Sequence, residues 1–141
     1  KSVIIYYLED RFYCIGMVRM PPIGLPAEML PIFISQGHNL DELAKVIESA
    51  YLQSDTTYPP NKENLERRGW DGEKGKVWKS AKKLWHIFWE EDNSVSVSLS
   101  EPKGKYKGEI EWKSVSGSKK TFPPPASSFD IAQEILNQVH A

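Results

Sequence analysis

The side chains best suited to catalysis in this 141-residue chain are three histidines and one cysteine. His38, His86 and His140 stand 48 and 54 residues apart. A hydrolytic zinc site uses a close pair such as H-x-x-x-H, and this spacing lacks it. His86 lies between Trp85 and Ile87 in a strand-like run, and His38 stands just ahead of a helix cap. Cys14 sits in the apolar run Phe12-Tyr13-Cys14-Ile15. That is the setting of a buried, inert thiol rather than an activated thiolate. A lone cysteine also excludes an intrachain disulfide and a Cys-rich zinc site. A Cys14–His86 nucleophile pair is conceivable, because partners need not be close in sequence, but no local signature supports it. The chain has no G-x-S-x-G nucleophile elbow. Gly72-Glu73-Lys74-Gly75-Lys76 shares Gly and Lys with a phosphate loop, but not its spacing or its following Ser/Thr. The expectation is therefore no catalytic residue, no metal, no cofactor and no enzymatic reaction.

Recognition chemistry is better represented. Glu90, Glu91 and Asp92 form an acidic run between two strand-like segments. Glu109 and Glu111 alternate on a strand, as a solvated outer face requires. The five tryptophans are Trp70, Trp78, Trp85, Trp89 and Trp112. Large aromatics belong mostly to the core. Trp70 is the exception, a large ring between Arg68-Gly69 and Asp71-Gly72, and an interface anchor can look like this.

The elements that must carry these groups read as follows. Residues 2–8 and 12–20 are two strands joined by the polar turn Glu9-Asp10-Arg11, with no glycine to mark it. Pro21-Pro22 ends the second strand, and residues 21–28 read as a loop. Residues 29–35 form a third strand. Asn39 caps a helix over 40–53, with Glu42 completing an N-x-x-E capping box and Leu40, Leu43, Ile47, Ala50 and Tyr51 on one face. Residues 54–78 are irregular. Residues 84–89 are a strand. Val95, Val97 and Leu99 then alternate with serines, which predicts one buried and one wet face. Gly104 and Gly108 bracket a Lys-rich loop. Ile110 to Val115 is a strand, and 119–122 adds a short one. After Pro123-Pro124-Pro125, Ser127 or Ser128 caps a last helix bearing Ile131, Ala132, Ile135, Leu136 and Val139.

Strands arriving in runs predict an α+β fold: one domain spanning 1–141, with a mainly antiparallel sheet of about six strands and two amphipathic helices packed on it. The size supports such a core without cross-links. Lys+Arg is 18 and Asp+Glu 19, a net charge of −1, which lacks the basic excess of a nucleic-acid binder. No apolar run approaches the length of a membrane span, and no signal peptide is apparent, so the expected location is cytoplasmic, with no membrane partner.

Laid out this way, the chain resembles a family of immunity proteins from bacterial contact-dependent growth inhibition systems. The likeness lies in the aromatic strand pair Ile4-Ile5-Tyr6-Tyr7 and Arg11-Phe12-Tyr13, and in the loop Pro21-Pro22-Ile23-Gly24-Leu25-Pro26. It continues through the helix start Asn39-Leu40-Asp41-Glu42-Leu43 and the stretch Val77-Trp78-Lys79-Ser80-Ala81-Lys82-Lys83-Leu84, then the Val95-Val97-Leu99 hairpin and the C-terminal helix. The aromatic-rich run 84–89 departs from the family's plainer strand. The resemblance implies a non-enzyme that binds the C-terminal domain of one cognate toxin, commonly a nuclease, in the cytoplasm of the producing cell. Carboxylates can compete with the phosphates that a nuclease must bind. The expected toxin-binding surface is therefore Glu63, Glu66, Trp70, Asp71 and Glu73 together with Trp89, Glu90, Glu91 and Asp92. Two other readings are a small adaptor or nucleic-acid-associated module using the Lys-rich segment 103–107 with Tyr106, and a small enzyme using Cys14 or His86. No direct contact with nucleic acid is expected from the charge balance.

Overall fold

The computed structural model describes residues 1–20, 25–28, 31–54, 77, 79–106 and 109–139. Its strands are β1 (Ser2–Leu8), β2 (Arg11–Met20), β3 (Leu25–Glu28), β4 (Phe33–Gln36), β5 (Lys83–Trp89), β6 (Val95–Tyr106), β7 (Glu109–Ser114) and β8 (Lys120–Phe122). Two helices accompany them, α1 (Leu40–Ser54) and α2 (Ser128–Gln138). The strands form one eight-stranded sheet in the order β3-β2-β1-β5-β6-β7, with β4 also on β2 and β8 also on β6. Every pairing is antiparallel. This is the α+β architecture that the strand runs predicted.

The β1–β2 hairpin turns without glycine because Glu9 and Asp10 both adopt the left-handed conformation, with φ of 52° and 59°. Positive φ at both central residues is what a two-residue turn matching the strand twist needs, and Asp tolerates it. The Asp10 carbonyl accepts a hydrogen bond from Gly37 N at 2.7 Å, which ties this turn to the β4–α1 connection.

Two segments correct the sequence reading. Residues 25–28, read as loop, pair with Met17–Met20 as β3, with Pro26 opposite Arg19. An edge strand tolerates a proline because one side of it needs no ladder donor. The Lys-rich segment after Gly104, also read as loop, continues β6 as far as Tyr106 across an irregularity between Pro102 and Gly104. β6 is therefore long enough to carry β8 on Val95–Val97 and β7 on Ser100–Tyr106.

The strand period of two sorts the side chains into two layers. Val3, Ile5, Phe12, Cys14, Trp85, Ile87, Val95, Val97 and Leu99 face the helices and pack with Leu43, Ala44, Ile47 and Ala50 of α1 and Ile131, Ala132 and Ile135 of α2. On the opposite face, Tyr6, Tyr13, Ile15, Ile32, Val77 and Ala81 form a second buried cluster, flanked by Ile4, Leu84 and Trp112. The serines of β6 are half-buried rather than fully wet. Ser96, Ser98 and Ser100 pair with Phe88, His86 and Leu84, whose side chains share that face. The indole of Trp85, fully buried, donates to Gln138 Oε1 at 2.9 Å, so burial leaves no donor unmet.

Both helix starts are capped. Asn39 Oδ1 accepts from Glu42 N at 2.9 Å. The Glu42 carboxylate, expected to close a capping box on Asn39 N, instead accepts from Gln36 N at 3.2 Å, bracing the end of β4. Ser127 Oγ accepts from Asp130 N at 3.1 Å at the start of α2. Asn39→Ala is expected to lower stability by about 1 kcal/mol through loss of its cap. Urea denaturation checks this, as a lower midpoint with an unchanged slope. An unmoved midpoint would mean the cap adds nothing to the helix.

Candidate functional site

Trp89 is the last residue of β5 and follows Trp85 and Ile87 toward the helix side of the sheet. Its ring is half-buried against Tyr51 of α1, with centroids 4.7 Å apart and planes at 49°. Such a tilted aromatic pair adds attraction beyond area burial. Its backbone N donates to the Lys1 carbonyl at 2.9 Å.

The acidic turn follows directly. Glu90 N donates to Ser94 O at 2.9 Å, and Asn93 N donates to Glu90 O at 3.0 Å. Asn93 supplies the left-handed residue, with φ of 67°. Asp92 Oδ1 accepts from Ser94 N at 2.9 Å and from the Ser94 hydroxyl at 2.6 Å. These hydrogen bonds favour the carboxylate and hold Asp92 below its ordinary pKa. The three acids therefore divide their work. Asp92 shapes the turn, while Glu90 and Glu91 stand exposed at its tip.

Two open hollows meet at Trp89. One lies beside the acidic turn and is lined by Lys1, Phe88, Trp89, Glu90, Glu91, Asp92 and Ser94. The other, of about 540 Å³, is lined by Ile47, Glu48, Tyr51, Trp89, Asn93, Pro124, Pro125, Ala126 and Ser128. Sequence reasoning placed Trp89, Glu90, Glu91 and Asp92 together, and they are together. It missed Tyr51 and the proline wall, which come from segments far away in the chain. Glu63, Glu66, Trp70, Asp71 and Glu73 lie outside the described residues, as does His140.

The Cys14–His86 pair does not form. Cys14 is fully buried on the helix face, and burial pushes its thiol pKa up. His86 lies on the other face of the sheet, exposed, with an edge contact to Phe88 at 6.3 Å. The protein around it lowers its pKa by desolvation.

A polar group that the sequence did not announce joins Tyr7, Asp10 and His38. The Tyr7 hydroxyl donates to Asp10 Oδ1 at 2.8 Å and lies 3.0 Å from His38 Nε2. Desolvation, followed by the hydrogen bond to Asp10 and its charge, pushes the Tyr7 pKa up to about 12. The phenol therefore stays protonated at neutral pH and serves as a donor, not a base. Together with the hydrogen bond from Gly37 to Asp10, the group braces the β1–β2 turn against the start of α1. Among the described residues, no group of three or more His, Cys, Asp or Glu could hold a metal ion.

No protein-family model matches the chain, and no curated protein matches it. Among solved structures it is similar to the protein of unknown function NMB0488 from Neisseria meningitidis, at a TM-score of 0.62 and 10% identity, covering 99% of this chain and 94% of that one. At that identity the likeness is one of fold, and it extends over nearly the whole of both chains. No helix among the described residues is long and apolar enough to cross a membrane.

Proposed function

We propose that this chain is an immunity protein of a contact-dependent growth inhibition system. It binds the C-terminal domain of one cognate toxin, a nuclease, in the cytoplasm of the producing cell and blocks it, without catalysing a reaction itself. The sequence resemblance supplies the class. The observation that carries the reading is the β5–β6 turn, where Glu90 and Glu91 project from a backbone that Asp92 and Ser94 hold in shape, beside the aromatic surface of Trp89. A nuclease gathers Lys and Arg to bind phosphate. Paired exposed carboxylates on a pre-shaped turn attract such a surface, speed encounter and discriminate between partners.

The test uses the toxin C-terminal domain encoded immediately upstream, purified alongside this chain. The chain is expected to bind it and suppress its nuclease activity. Glu90→Lys with Glu91→Lys, leaving Asp92 to hold the turn, is expected to slow association about tenfold at low salt and to flatten the salt dependence. Failure of the unaltered chain to bind or protect overturns the reading. Unchanged association in the double variant removes the turn from the interface.

A further inference from the structure

The hollow on the helix side of Trp89 has features that a solvated dimple does not need. Its floor is the Tyr51–Trp89 pair, and one wall is Pro124 and Pro125. At about 540 Å³ it exceeds any single side chain, so it has room for a large apolar residue together with the backbone that carries it. Most of its lining is apolar, from Ile47, Tyr51, Trp89, Pro124, Pro125 and Ala126.

Charge decides what kind of partner fits. Glu48 is exposed and lines this hollow from α1, while Glu90, Glu91 and Asp92 line the neighbouring hollow, which shares Trp89 with it. Among the described lining residues of both hollows, Lys1 is the one cation, and its ammonium sits 5.3 Å from the centre of the Tyr51 ring. That contact shows that the ring accepts a cation, here the chain's own Lys1.

We propose that this hollow seats one large apolar side chain from a Lys/Arg-rich protein segment, with flanking cations on Glu48 beside it and on Glu90 and Glu91 of the adjoining hollow. The proposal rests on the immunity-protein reading only in taking the toxin as the source of that segment. An apolar anchor in a desolvated pocket, ringed by charge pairs, is the usual energetic layout of a tight protein interface.

The test begins without the toxin. The full chain, labelled with nitrogen-15, is titrated with a short synthetic peptide of Lys and Arg around a single central Leu. Two controls accompany it, one with Leu replaced by Gly and one with Glu in place of the cations. Saturable shifts are expected at the Trp89 indole and at the Glu48, Tyr51 and Ala126 amides with the first peptide. Glu48→Arg, at an exposed site, is expected to weaken binding roughly tenfold. Trp89→Ala is expected to weaken it roughly 30-fold, with Trp89→Phe retaining most of the affinity and so guarding against misfolding. Absence of saturable shifts, equal shifts with the acidic peptide, or a second copy of the chain occupying the hollow in solution would overturn the proposal. The toxin arm separates the two readings. Toxin binding untouched by Glu48→Arg and by Trp89→Ala overturns this proposal and leaves the immunity reading standing. Peptide binding by a chain that ignores the toxin supports the hollow and overturns the immunity reading.

Discussion

Replacing Gly16 by alanine is expected to cost roughly 3 kcal/mol, because it drives α1 away from the sheet. Gly16 lies in β2 directly beneath the end of α1. A Cβ there would stand 2.5 Å from the Ala50 carbonyl oxygen, 2.8 Å from Ser54 N and 2.9 Å from Gln53 Oε1. Two of those atoms are backbone and cannot swing aside. The same site carries a buried hydrogen bond, from Gly16 N to Gln53 Oε1 at 2.7 Å, and Gln53 Nε2 donates onward to the Pro31 carbonyl at 2.8 Å. Moving the helix strains this bridge as well, and an unmet buried amide costs about 1–3 kcal/mol. Urea denaturation of Gly16→Ala against the unaltered chain measures the loss. An equal midpoint would mean that α1 does not sit this close to β2.

Ile87→Asp is expected to abolish the folded state at neutral pH. Ile87 is fully buried in the middle of the sheet, with Val3 opposite on β1 and Val97 opposite on β6. Both cross-strand neighbours are apolar, so they give a carboxylate no partner. The change removes about 2 kcal/mol of apolar burial and adds the cost of a buried polar group. Together these approach the total stability of a small domain, about 5–15 kcal/mol. The introduced carboxyl resists ionisation in this site, so its folded pKa lies above its unfolded value near 4. The penalty therefore grows as pH rises above about 4 and eases below it. Circular dichroism and amide dispersion check the prediction. A folded variant of near-native midpoint at pH 7 would overturn the placement of Ile87 between the helices and the sheet.

The parts of this fold that were legible in the sequence are those fixed by local chemistry. Asn39 three residues before Glu42 announces a helix start, and the Asn39 half of the capping box is present, while the Glu42 carboxylate turns to Gln36 instead. Val95, Val97 and Leu99 announce a buried strand face by their period, and all three are buried. The missed strand β3 contains Pro26, and a proline can be read as edge strand or as loop until its neighbour is known. Likewise, Gly104 among lysines looks like a loop, and only pairing with β7 makes it strand. The candidate site divides along the same line. Trp89 to Asp92 are contiguous and could be found together. Tyr51 and Pro124–Pro125 reach Trp89 only because α1 and the start of α2 cross the same end of the sheet, which no local pattern encodes. The Tyr7–Asp10–His38 group depends on a turn and a loop meeting across 31 residues.

The β1–β5 pairing has a consequence for how molecules of this protein meet while folding. Tyr7 pairs with Lys83, so the centre of the sheet joins two stretches of chain distant in sequence. On one side lie β1 to β4 with α1, and on the other β5 to β8 with α2. Each side can form its own hairpin quickly, β1 with β2 and β5 with β6. The join waits on closure of the long connection between them, and long-range closure is the slow kind. Until then β1 and β5 each present a bare edge of the same register and the same apolar face. In concentrated refolding, β1 of another molecule competes with the tethered β1 for β5, and where it wins whole halves are exchanged between two chains.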